Sequence, residues 1–199
     1  MNKPNNYENT QAGGDFTPVE LGGHNAIIKQ VTEQNSKNGD PMIVVLIDFD
    51  KTDAQAGYFM DSFKKDIRPE KKWSNQGTQY ILSEYQGACT KGFKSFIKAF
   101  ADSNGLDAEK DIKWGAEFTA QFKNKKIGVV FGEVEELYNG EVKKHRKIRW
   151  FCDFNKVKDQ KIPDAKLLDA NTKAQATTTT SNSYNPAVAE DTDEEIPFN

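Results

Sequence analysis

Along residues 24–49 the apolar pattern changes from alternating to continuous across one polar interruption. Ala26, Ile27, Ile28 and Val31 make residues 24–33 a strand, and residues 34–41 gather Asn, Ser, Gly, Asp and Pro into a turn. Residues 42–49 are an unbroken apolar run but for Asp48, rich in β-branched side chains, which predicts a strand buried on both faces and so a hairpin with the first. Residues 57–67, with Tyr58, Phe59 and Phe63 and a stop at Arg68-Pro69, read as a third extended piece; residues 68–80 read as a long loop. The period then changes. Cys89, Phe93, Phe96, Ile97 and Phe100 share one helical face, predicting an amphipathic helix over residues 85–102 with Asn104-Gly105 as its stop. After a short element at 114–122, alternation returns at 125–138 and 141–154 around Asn139-Gly140, a strong hairpin signal. Three strands, a helix and two strands give a mainly β class in the order of an OB-fold, a five-stranded barrel with one helix between strands 3 and 4.

Beyond residue 160 the pattern stops. Residues 161–189 hold one aromatic, Tyr184, and a Thr177–Thr180 tract, with no periodicity able to offset the entropy of ordering them, so they read as a disordered linker. Residues 190–199 are an acidic tip: Asp191, Asp193, Glu194 and Glu195 precede Ile196, Pro197 and Phe198, an acidic apolar bait for a basic, apolar pocket on another protein. The Asn-, Gly- and Pro-rich residues 1–20 form a loose arm, which leaves 21–160 as the folded domain.

Charge sharpens this division. From Lys161 onward three Lys stand against seven Asp and Glu, which out of 27 basic and 30 acidic residues leaves 24 and 23 in positions 1–160. A neutral to slightly basic domain carries a strongly acidic tail, an asymmetry that suits a domain meeting polyanions. Cys89 and Cys152 have no Cys-x-x-Cys spacing, so neither a disulfide framework nor a zinc site is indicated. A polar N-terminus and the lack of a long apolar run imply a soluble, cytoplasmic protein with no membrane partner.

With Asn139-Gly140 as a two-residue turn, Leu137 faces Val142, Glu135 faces Lys144, Glu133 faces Arg146, Phe131 faces Ile148 and Val129 faces Trp150. On the other face Glu136 meets Lys143, Gly132 meets Lys147, Val130 meets Arg149 and Gly128 meets Phe151. Opposite charges then pair across the strands, as sheets select. Lys147, Arg149 and Phe151 have no acid opposite them, and with Lys143 on the same face they have the composition of a single-strand platform, cations for phosphates and a ring for bases. The other reading of that row is a solvated strand face. Lys71, Lys72, Trp73 and Tyr80 form a second candidate patch, in which Trp73 either clamps a base or folds back onto the core. Trp114 and Trp150 are assigned to the core.

Other chemistry is thin. Asp48, Asp50 and Asp53 lack the spacing of a calcium loop and solvate a strand end. His24 and His145 have no nucleophile or carboxylate that the sequence places beside them, and Gly22-Gly23 is followed by no phosphate-loop signature. The expectation is a protein that is not an enzyme, with no catalytic residues, no metal and no cofactor.

The tip at residues 191–198 resembles that of bacterial and phage single-stranded DNA-binding proteins, whose low-complexity tails end in several acids followed by Ile-Pro-Phe or Leu-Pro-Phe. The stretches Gly22-Gly-His-Asn-Ala-Ile-Ile and Ser36-Lys-Asn-Gly-Asp-Pro-Met, with the closing hairpin through Lys161-Ile-Pro, resemble replication-module proteins of phages of Gram-positive bacteria. The resemblance implies a protein that coats single-stranded DNA with little sequence preference in phage DNA replication, recombination and repair. It implies recruitment of partner enzymes through the tip and permits a homo-oligomer. Asn199 displaces the chain-end carboxylate by one residue from Phe198. Two rival readings are a recombination mediator or adaptor that binds proteins rather than DNA, and a metal-dependent nuclease built on Asp48 and Asp50.

Overall fold

The computed structural model describes residues 2–4, 7–8 and 17–169; most of the expected linker and the whole tip, residues 190–199, lie outside them. Strands β1 (Gly22–Asn35) and β2 (Pro41–Phe49) form the first hairpin, closed by a turn in which the Ser36 hydroxyl accepts from the Asp40 N–H and Gly39 takes a positive φ of 86°. From Ile43 onward every residue of β2 is buried, as its continuous apolar run predicts. Next comes a helix, α1 (Tyr58–Lys65), where the sequence reading expects an extended piece. Phe59 and Phe63 are four apart, the spacing of one helical face. The helix is started from outside: the buried Asp48 carboxylate on β2 accepts from the Phe59 and Met60 N–H groups at 3.0 and 3.3 Å.

The third strand, β3 (Thr78–Leu82), lies at the end of the expected loop, where Ile81 is its one fully apolar buried side chain. A minimal pair, β4 (Glu84–Tyr85) and β5 (Ala88–Cys89), leads into α2 (Lys91–Asn104). The Thr90 hydroxyl accepts from the Phe93 N–H at 3.1 Å, so the helix begins after Cys89, which is exposed and off the helical face expected to hold it. Gly105 ends the helix in the left-handed region at φ 69°, the stop read from Asn104-Gly105. Strands β6 (Lys126–Tyr138) and β7 (Glu141–Cys152) close the domain around Asn139 and Gly140, both at positive φ.

The main sheet is antiparallel, with five strands in the order β3-β2-β1-β6-β7. Among the described residues no ladder joins the edge strands β3 and β7, so the sheet is open, mainly β in class with its longer helix between third and fourth sheet strands. The helix α2 touches β3, β6 and β7, and the 3-10 turn Asn75–Gly77 before β3 lies against β7, so the two edges converge on shared neighbours. One core fills the space between. His24, Phe49, Phe59 and Phe131 pack together in one part of it, and Phe96, Phe100, Phe118, Phe122 and Phe151 in another.

The expected hairpin register holds from Tyr138–Glu141 to Phe131–Ile148 and then slips by one residue. Arg149 is an extra residue at a bulge, so Val130 faces Trp150 and Val129 faces Phe151. Trp150 therefore turns outward, 38% exposed, and Phe151 turns inward, its ring 5.2 Å from Phe96. Trp114, also expected in the core, is 60% exposed.

Order extends beyond both expected domain boundaries. Val19 is fully buried, the Tyr58 hydroxyl donates to the Thr17 carbonyl and an Arg146 guanidinium N–H donates to the Val19 carbonyl. At the other end Lys166 bridges to Val134 in parallel, exchanging backbone bonds with Glu133 and Glu135 at 2.9 and 2.8 Å. Strand β1 starts opposite Phe131, so this segment occupies the edge of β6 that β1 leaves open. Backbone groups at such an edge need partners, and Lys166 supplies them to Glu133 and Glu135.

Candidate nucleic-acid interface

The β7 row expected to be free is engaged. The Lys147 ammonium lies 2.6 Å from Glu136, four residues along β6 from the Gly132 opposite it, a pairing that a directly opposite register does not reveal. Lys143 leaves Glu136 for Glu141 on its own strand at 3.6 Å and sits over the Tyr138 ring. The Arg149 guanidinium donates to the Asp164 carbonyl at 2.9 Å and to the Glu133 carbonyl at 3.4 Å, holding the terminal segment in place. A Cβ on Gly132 would meet Pro163 at 2.5 Å, so the space beside this glycine is taken by the chain itself. With Phe151 on the core, Lys147, Arg149 and Phe151 do not form the expected platform.

In the second patch Trp73 takes the core alternative: it is 8% exposed, with Phe63 at 5.6 Å. Lys71 lies over the same Phe63 ring and donates to the Lys64 carbonyl at 3.2 Å near the end of α1. Lys72 is exposed, and Tyr80 stands outward from β3, 54% exposed.

The three aspartates are engaged by the fold. Besides capping α1, Asp48 accepts from the Phe49 N–H; burial pushes its carboxyl up, against those three amides. Asp50 accepts from the Thr52 amide and hydroxyl, which with the nearby Lys126 charge hold its carboxyl below the usual range despite burial. Asp53 accepts from the Asn25 and Gln55 amides and lies 3.2 Å from Nδ1 of His24, whose Nε2 faces the Glu20 carbonyl at 3.0 Å. Burial raises Asp53, and the His24 bond, the amides and the His24 charge more than offset it, so its carboxyl is held low. His24 thus has the carboxylate partner that the sequence did not place. Among the described residues no group of three or more His, Cys, Asp or Glu is arranged to hold a metal ion.

A basic cluster that the sequence reading missed lies where β2 ends and β6 begins. A pocket of about 200 Å³ is lined by Asn25, Thr52, Phe154, Asn155, Val157 and Lys158. Lys126 sits 5.0 Å over the Phe154 ring, Lys51 precedes Thr52, and Lys156 lies on the 3-10 turn Phe154–Asp159. All four lysines are exposed. The turn is seated by Asp153, which caps the Asn155 N–H, and by the Asn25 amide, which donates to the Phe154 carbonyl at 2.8 Å. Gly23 permits the approach, since a Cβ there would lie 2.3 Å from the Val157 carbonyl oxygen. Asp50 and Asp53 are turned to hydrogen bonds inside the fold, and Lys156 is 3.9 Å from Asp153. The result is a cluster of exposed lysines gathered from three distant segments, interleaved with Asp50, Asp53, Asp153 and Asp159, of which the Lys-Asn-Lys-Lys run at 123–126 and the Lys-Val-Lys at 156–158 were the available signal.

No helix among the described residues is long and apolar enough to cross a membrane. The chain matches no protein-family model and no curated protein.

Proposed function

We propose that the chain is a single-stranded DNA-binding protein of phage type, an OB-fold-like barrel that coats exposed strand with little sequence preference. The observation that carries this reading is the cluster of Lys51, Lys126, Lys156 and Lys158 around a small polar pocket, beside which the Asp50 and Asp53 carboxylates accept hydrogen bonds from the fold. Such a cluster tracks phosphates. The strand order supports the barrel: joining edges β3 and β7 closes it, and α2 spans the gap between them. In this reading the acidic tip recruits replication, recombination or repair proteins in the bacterial host cytoplasm, and no catalytic step is involved.

Fluorescence anisotropy of labelled oligo-dT tests it. A site engaging about five phosphates gives a slope near −3.5 in log affinity against log salt. No binding at low salt sinks the proposal in favour of the adaptor reading. Deleting residues 190–199 is expected to leave oligo-dT affinity unchanged or raised, because an acidic tail competes for a basic surface, while tip-dependent partner binding is lost. Weaker DNA binding after the deletion counts against the scheme.

A further inference from the structure

At the end of β2 away from Lys51, a groove of about 590 Å³ opens between the β1–β2 hairpin, the β4–β5 pair and the turn Gly115–Glu117. Its volume falls within the range of ~300–1,000 Å³ usual for ligand clefts. Pro41, Met42, Phe93 and Phe118 supply an apolar surface. Trp114 forms a wall: its ring lies 5.3 Å from Phe118 at an interplanar angle of 7°, so one face rests on Phe118 while the residue stays 60% exposed. Glu33 and Glu84 line the same groove, no Lys or Arg does, and neither carboxylate has a hydrogen bond or ion pair among the described residues.

Charge decides the occupant. Two uncancelled carboxylates repel a phosphodiester chain and equally repel the acidic residues 191–195 of this chain, whereas they attract a cation. An open indole face beside them completes a site for a guanidinium or ammonium group. We propose that this groove docks an extended segment of a partner protein carrying apolar side chains and at least one Arg or Lys, the apolar groups on Met42 and Phe93, the cation between Trp114 and the two glutamates. The surface is separate from the lysine cluster, so a partner and a polyanion bind the domain at once.

The test uses the full chain and two fluorescein-labelled nonapeptides of the same Leu, Phe and Gly content, one with two Arg and one with two Glu. The Arg peptide is expected to bind at least ~10-fold more tightly than the Glu peptide, with Trp114→Ala weakening it ~10-fold through loss of the ring. The pair Glu33→Gln and Glu84→Gln weakens it about 5-fold, as for exposed ion pairs. Thermal melting and oligo-dT affinity stay unchanged in these variants. A bulky maleimide gives an independent readout: Cys89 is exposed in the groove, while burial and Asp153 push the Cys152 thiol up to about 11, so labelling falls on Cys89 and blocks the peptide. Equal affinity for the two peptides, peptide binding indifferent to Trp114→Ala, or oligo-dT displacing the peptide from the groove each overturn the proposal. Loss of oligo-dT binding alone, with the peptide results intact, leaves it standing and removes the DNA-binding reading instead.

Discussion

Replacing Asp53 by Ala lowers the unfolding free energy by about 3 kcal/mol, the scale of leaving several part-buried hydrogen-bond partners without their carboxylate. The Asp53 and His24 side chains are almost fully buried, and His24 is stacked 4.3 Å from Phe49 and set edge-on to Phe131. Its Nδ1 faces the Asp53 carboxylate and its Nε2 the Glu20 carbonyl. Truncation leaves that ring, the Asn25 amide and the Gln55 amide without their partner. Urea denaturation of wild type, Asp53→Ala, His24→Ala and the double variant measures the coupling; the double variant is expected to cost less than the two singles together. A loss below about 1 kcal/mol in Asp53→Ala contradicts the account.

The same pair sets a pH dependence. The Asp53 carboxyl is held below the ordinary range, so its stabilisation is complete above about pH 5 and is lost as pH falls through 4 and below. Asp50 acts in the same direction. Asp48 acts in the other, because burial raises its carboxyl and protonation relieves that cost as pH falls. Removing Asp53 therefore flattens the acid limb of the stability curve as well as lowering its plateau.

The strongest local signals were legible in the sequence: the buried β2 run, the Phe93–Phe96–Phe100 face of α2, the Gly105 stop and the Asn139-Gly140 turn. What failed did so where a distant group decides the outcome. The helix α1 is nucleated by a carboxylate on β2, ten residues upstream, and β3 has too few apolar positions to stand out from the polar segment before it. A single bulge at Arg149 exchanges the positions of Trp150 and Phe151, because a one-residue slip moves each later side chain to the opposite face. The candidate platform on β7 failed for the same kind of reason. Glu136 reaches Lys147 from four residues along β6, and Pro163 and Asp164 return against Gly132 and Arg149, neither of which strand-opposite-strand pairing can reveal.

Combining Lys51→Glu, Lys126→Gln and Lys158→Glu is expected to weaken oligo-dT binding about 1,000-fold near 50 mM salt and to flatten the salt slope by about 2, since each single-strand phosphate contact carries about 0.7. Lys126 is neutralised rather than reversed because it lies near the Asp50 carboxylate and over Phe154, where a new negative charge would disturb the fold. Lys51 and Lys158 are exposed, so their reversal leaves the melting temperature nearly unchanged. Lys147→Gln is the informative contrast. Its ammonium already faces Glu136 at 2.6 Å, so it has little net charge to offer a phosphate, and its loss changes affinity by about 2-fold or less. If the triple variant binds within about 3-fold of wild type while Lys71→Glu or Tyr80→Ala abolishes binding, the strand runs along β3 and the end of α1 rather than over the lysine cluster. That outcome would preserve DNA binding and displace its address, because Lys71 and Tyr80 belong to a surface built from residues 64–82, and the cluster to one built from the ends of β2, β6 and β7.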